Sequence, residues 1–247
     1  MIEYSDTILG RREKEETIMK RLIVVSLLVG LVIASAFAVD FSELDFQVYV
    51  GASMSQYKAE GFKDTTLWGN EVTLSESNGS KMPIGFTVGA RAALVDHFYI
   101  ITEVDANFAS GKSFIVDAGV GASYYFLDNS FHIGIGAKAG YFSLVNHIAT
   151  INFNYYGYDK NGNYFSGDKG DSITYNVMGL SIAPFLDMYF DVNNMLSIGA
   201  SVGYRIGFSF KDAVMVASKY DIGTFNDQEP KVSPNGVIAS VYGLYKF

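Results

Sequence analysis

Seven charged side chains, Arg91, Lys138 and Arg205 against Glu103, Asp105, Asp117 and Asp187, sit in segments where apolar residues alternate with small or polar ones. All seven fall on the small and polar phase. Charges withdrawn from water persist only when paired and hydrogen-bonded, so this pattern predicts an interior ion-pair network. Parity permits Arg91 opposite Glu103 across a turn at Asp96-His97, and Lys138 near Asp117 across a turn at Asp128-Asn129. The same groups would either plug a narrow interior or line an aqueous pore.

Other chemistry is sparse. His97, His132 and His147 are the only histidines, and no nucleophile motif accompanies them. A catalytic set needs a positioned base beside its nucleophile, so no enzyme is assigned. Asp159, Asn161 and Asn163 have the spacing that opens a calcium loop, but Tyr164 and Gly170 stand where such a loop needs Gly and Glu. The stretch reads as turns within a hairpin. No metal or cofactor site follows. The chain contains no Cys, which removes disulfides, thiolate metal sites and a thiol nucleophile. A net charge of −8 argues against nucleic acid, which needs a basic face.

The elements that must position these charges are strands. Period-two alternation recurs in eight segments, near 46–55, 84–94, 100–108, 114–126, 131–141, 180–190, 196–208 and 237–247. One phase carries Val, Ile, Leu and Phe, and the other Gly, Ser and the charges. Tight connections at Asp96-His97, 127–130 and 191–195 alternate with long polar ones near 56–82, 144–172 and 211–235, plus a short one near 109–112. This predicts an all-β fold, a closed antiparallel up-and-down barrel of eight strands. The long connections leave room for a further hairpin that would make ten.

Eight strands enclose only enough space for side chains. The small and charged phase therefore fits the interior, and the apolar phase must face lipid. Phe98, Phe126, Phe131 and Phe190, with Tyr245 and Phe247, gather on the apolar phase near the tight-turn rim and read as an interfacial girdle. Trp68, Tyr155, Tyr156, Tyr158, Tyr164, Phe165, Tyr220 and Phe225 populate the long connections, where they suit recognition, contact with headgroups or closure of the mouth.

At the N-terminus, Lys20-Arg21, the apolar run Leu22 to Ala34 and the small-residue box Ala36-Phe37-Ala38 have the layout of a signal peptide over 19–38. Residues 1–18 are charged and read as an upstream extension with the natural start at Met19. The barrel then occupies 39–247.

Residues 39–247 resemble small eight-stranded outer-membrane barrel proteins of the OmpA/OmpW type. The most specific piece is the final strand Val241-Tyr242-Gly243-Leu244-Tyr245-Lys246-Phe247, whose Tyr245 and Phe247 are similar to the signal read by the barrel-assembly machinery. The resemblance implies an outer-membrane location, lipid and assembly-machinery partners, and no single activity. On this reading the protein is a monomer with a structural or surface-interaction role, an extracellular ligand at its loops and a largely occluded lumen. The alternative is a narrow channel or carrier for small solutes.

Overall fold

The computed structural model describes residues 45–109, 113–128, 130–223 and 229–247. The extension 1–18 and the signal segment 19–38 lie outside the described residues. Among the described residues sixteen strands run in chain order: β1 (Phe46–Ser55), β2 (Tyr57–Glu60), β3 (Thr65–Leu67), β4 (Asn70–Val72), β5 (Gly79–Lys81), β6 (Ile84–Val95), β7 (Phe98–Phe108), β8 (Phe114–Asp128), β9 (Phe131–Thr150), β10 (Tyr155–Tyr158), β11 (Tyr164–Gly167), β12 (Ser172–Asp191), β13 (Leu196–Val216), β14 (Tyr220–Gly223), β15 (Lys231–Ser233) and β16 (Gly236–Lys246).

Eight of them close a ring in the order β1, β6, β7, β8, β9, β12, β13, β16, and β16 pairs back onto β1. Every neighbouring pair is antiparallel. Closure removes the unpaired edges that an open sheet would expose. The remaining strands are short hairpins and ribbons outside the ring, so the barrel has eight strands rather than ten.

Register decides what faces where. Val50, Val88, Val104 and Ala118 form one outward row, and Tyr49, Gly89, Glu103 and Gly119 the next, inward one. Outward Val50, Phe86, Ile135, Ile198 and Val241 are each more than half exposed, although all are strongly apolar. Inward, glycines leave room for rings: a Cβ at Gly89 would lie 2.3 Å from Tyr49, and one at Gly199 2.4 Å from Tyr242. These two tyrosine rings lie over glycines of the adjacent strand, where no side chain stands in their way.

Three strands differ from expectation. The polar connections read near 144–172 and 211–235 are partly strand, because β9, β12 and β13 run on as a paired three-stranded wall. Buried Leu144, Tyr175, Val177 and Val214 hold that extension, and apolar neighbours on the other phase (Val145, Met178, Ala213, Met215) blur the alternation there. β12 also carries Pro184 inside a barrel strand. Proline cannot donate to the ladder, and the β12–β13 pairing skips Ala183 and Pro184 without changing register.

Candidate functional site

The inward side chains stack in layers along the barrel axis. Nearest the tight turns, Arg91 is 2% exposed. Its Nε donates to Gln47 Oε1 at 2.7 Å, and its Nη1 donates to Tyr125 Oη at 2.5 Å and Asp187 Oδ2 at 3.1 Å. The Tyr125 hydroxyl donates to the same carboxylate, and Tyr242 Oη donates to Asp187 Oδ1 at 2.5 Å. Tyr189 lies under the guanidinium with its ring centre 4.1 Å away, a cation–π contact. At the rim, Asp191 receives Lys246 Nζ at 2.7 Å and Ser197 Oγ at 2.6 Å, with His132 Nε2 at 3.1 Å.

In the middle layer Lys138 donates to Glu103, and to Asp105 Oδ2 at 3.1 Å. Tyr49 Oη donates to the other Glu103 oxygen at 2.8 Å. The space left among Tyr49, Ile101, Lys138, Phe185, Ser201 and Tyr242 is about 20 Å³, room for roughly one water.

The third layer is centred on Arg205. It donates to the backbone oxygens of Pro234 and Gln56 at 2.8 and 2.9 Å and to Ser55 Oγ at 2.7 Å, with Asp117 Oδ2 at 3.7 Å. This arginine thus ties two long connections to the wall. Asp117 also accepts from Ser181 Oγ at 3.1 Å.

All seven predicted lumen charges face the interior, but two pairings differ from parity. Arg91 meets Asp187 rather than Glu103, and Lys138 meets Glu103 and Asp105 rather than Asp117. Parity gives the face of a strand, not the reach of a long side chain across a narrow lumen. Arg91 therefore crosses to the far wall. Gln47, Tyr49, Tyr125, Tyr189 and Tyr242 complete the network without having been singled out. Their inward parity is the signal in the sequence that marks them.

Above Arg205 the barrel is roofed by an apolar cap. Tyr57, Phe62, Leu74, Phe142, Leu144, Ile151, Ile173, Val214 and Val216 are each at most 2% exposed and form one cluster. β2 with β5 and β15 makes a three-stranded ribbon, and β3–β4 and β10–β11 are hairpins. The β3–β4 turn is Trp68-Gly69, with φ of 50° and 81°. Positive φ is costly for tryptophan, and contacts of its ring offset that cost: Trp68 stacks on Tyr155 at 4.7 Å and meets Phe165 edge-on at 6.1 Å.

The aromatic residues of the tight-turn rim lie outward. Phe126, Phe131 and Phe190 are 45–54% exposed and Phe247 is 77% exposed, while Phe98 is half-buried. Phe247 packs at 4.8 Å from Tyr245 and 5.8 Å from Phe46. Phe225 lies outside the described residues. The Asp159 stretch is a turn: Oδ1 accepts the amides of Asn161 and Asn163, each at 2.8 Å.

Cap electrostatics give a pH prediction. Asp64 Oδ1 accepts the amides of Ser75 at 2.9 Å and Leu74 at 2.8 Å, and these bonds hold its carboxyl below the usual aspartate range. A depressed folded pKa contributes stability that is present above the ordinary carboxylate range and lost as pH falls through the lowered value. Protection of the Leu74 and Ser75 amides should therefore persist at neutral pH and vanish only in strong acid. In Asp64→Ala it should be absent throughout, as amide exchange would show. Nearby, burial first, and then the bond to Asp171, push the Tyr155 phenol up, so it stays protonated.

No family model matches the chain, and no curated protein does. Among solved structures it is similar to Neisserial surface protein A at 12% identity, spanning 81% of this chain and 96% of that one with a TM-score of 0.45. It is also similar to Ail of Yersinia pestis in complex with the heparin analogue sucrose octasulfate (15% identity, 83% and 99% covered, TM-score 0.40). A third similar structure is the outer membrane protein AlkL in DMPC bilayers (12% identity, 82% and 90% covered, TM-score 0.38).

Proposed function

We propose that this chain is an exported outer-membrane barrel with a structural or surface-interaction role, whose lumen is closed to solutes. The observation that carries this reading is the polarity of the wall: apolar side chains point outward around the ring, while paired charges and tyrosines fill the inside. A closed ring satisfies its backbone groups without water, as hydrocarbon requires. The ionic layers and the apolar cap then close the bore at successive heights. Export through 19–38 and insertion guided by Tyr245 and Phe247 belong to the same proposal.

Planar-bilayer recording tests closure against the alternative of a narrow channel. The purified protein should give no reproducible conductance steps, and small sugars should not swell liposomes that contain it. Stable channels in the unmodified protein would replace the closed barrel with a selective pore lined by Glu103, Lys138 and their neighbours.

A further inference from the structure

The hairpin β10–β11 has two unlike faces. The inner one is buried: Tyr155 stacks on Trp68 at 4.7 Å, and Phe165 stacks on Tyr220 at 4.4 Å. The hairpin turn is pinned as well, since Lys160 Nζ pairs with Asp221 at 2.5 Å. On the outer face, Tyr156, Tyr158 and Tyr164 are 68%, 68% and 63% exposed. Register places Tyr156 beside Ser166 and Tyr158 beside Tyr164, whose rings lie 5.8 Å apart at 72°.

Three features of this face narrow what it fits. Among the described residues, the other large apolar side chains this exposed lie on the barrel strands or at their ends, and most are Val, Ile, Leu or Phe. That composition suits hydrocarbon. The large side chains of the hairpin face are all tyrosine, so it pairs apolar area with hydroxyls and suits a hydrated partner. It also carries no charge: all four exposed residues end in a hydroxyl, and the ionic groups of the turn are engaged by Asp221, Asn161 and Asn163. Finally, it is pre-formed, because aromatic stacking on the reverse side fixes the strands before anything binds.

We propose that this face is a binding platform for an uncharged saccharide chain. The C–H faces of pyranose rings carry slight positive charge and pack on the negative faces of phenol rings. Alternate residues on a strand stand about 7 Å apart, so Tyr156 and Tyr158 present two successive stacking positions. Sugar hydroxyls then exchange hydrogen bonds with the phenols and Ser166. A polyanion would find only Lys160, at the turn and already paired with Asp221. The proposal rests on the surface-interaction reading only in requiring the hairpin to stand outside the cell.

The test is calorimetric titration of the full barrel, folded in phosphocholine micelles so that no sugar headgroup competes. The probes are maltohexaose, cellohexaose and chitohexaose, with heparin as the charged comparison. At least one neutral hexasaccharide should bind saturably and with little dependence on salt. Tyr158→Ala or Tyr164→Ala should weaken it by about tenfold, and the triple Tyr156/Tyr158/Tyr164→Ala variant should abolish it. Unchanged Trp68 fluorescence would show that the loops of these variants remain assembled. Binding of none of the three neutral sugars, equal binding by the triple variant, or salt-sensitive binding of heparin alone would overturn the proposal. Conductance of the same preparation separates the two readings, since an open channel would remove the closed lumen without touching the saccharide result.

Discussion

Arg91→Ala is expected to lower the stability of the folded barrel by about 3–5 kcal/mol, the usual cost of stranding a buried charge. Arg91 and Asp187 are 2% and 5% exposed, so the carboxylate left behind is shielded from bulk water. Asp187 would keep the two phenol donors, Tyr125 and Tyr242, but no cation. Adding Asp187→Asn should restore part of the loss, because the stranded charge is then gone while hydrogen-bonding capacity remains. Urea unfolding in lipid vesicles measures both. If the single variant unfolds at the unaltered midpoint, the first layer is wet and the ion pair is solvated.

Phe142→Ala should cost about as much, ~3–5 kcal/mol, through a different cause: a large ring removed from a packed interior leaves a cavity its neighbours cannot refill. Phe142 is fully buried where the lumen meets the cap. Its ring lies against Gly179 and Gly207, which have no side chain to move into the space. Phe86→Ala provides the contrast. That ring points outward and is 51% exposed, so lipid tails fill its place and the loss should be much smaller. Equal losses for the two variants would mean that the cap is not a packed core.

The strands and their faces were legible because the period-two pattern persists through most of each barrel strand. Val88, Ala90 and Ala92 against Gly89 and Arg91 leave one reading. Strand length was less legible. Beyond Tyr141 in β9 and before Leu180 in β12 the pattern becomes mixed, with polar Asn146 and Thr174 buried beside apolar Leu144 and Tyr175. The charged members of the lumen were legible from parity. Their partners were not, since Arg91 and Asp187 are brought together only when the sheet closes. Least visible was the cap. Phe62 and Leu74, Ile151, and Val232 come from three different connections, and each is an isolated apolar residue among polar ones until the hairpins assemble.

Which way each wall residue points decides whether this is a lipid-facing barrel, and the absence of native cysteine makes that measurable. Single cysteines at the neighbouring positions Thr87 and Val88, 0% and 47% exposed, should behave oppositely in bilayers. A fluorophore on Val88→Cys should be quenched by brominated acyl chains and not by aqueous iodide. Thr87→Cys should resist a charged thiol reagent applied from either side until the barrel is unfolded. Rapid modification of Thr87→Cys in the folded protein, or iodide quenching at Val88→Cys, would contradict a closed barrel with its apolar face in lipid.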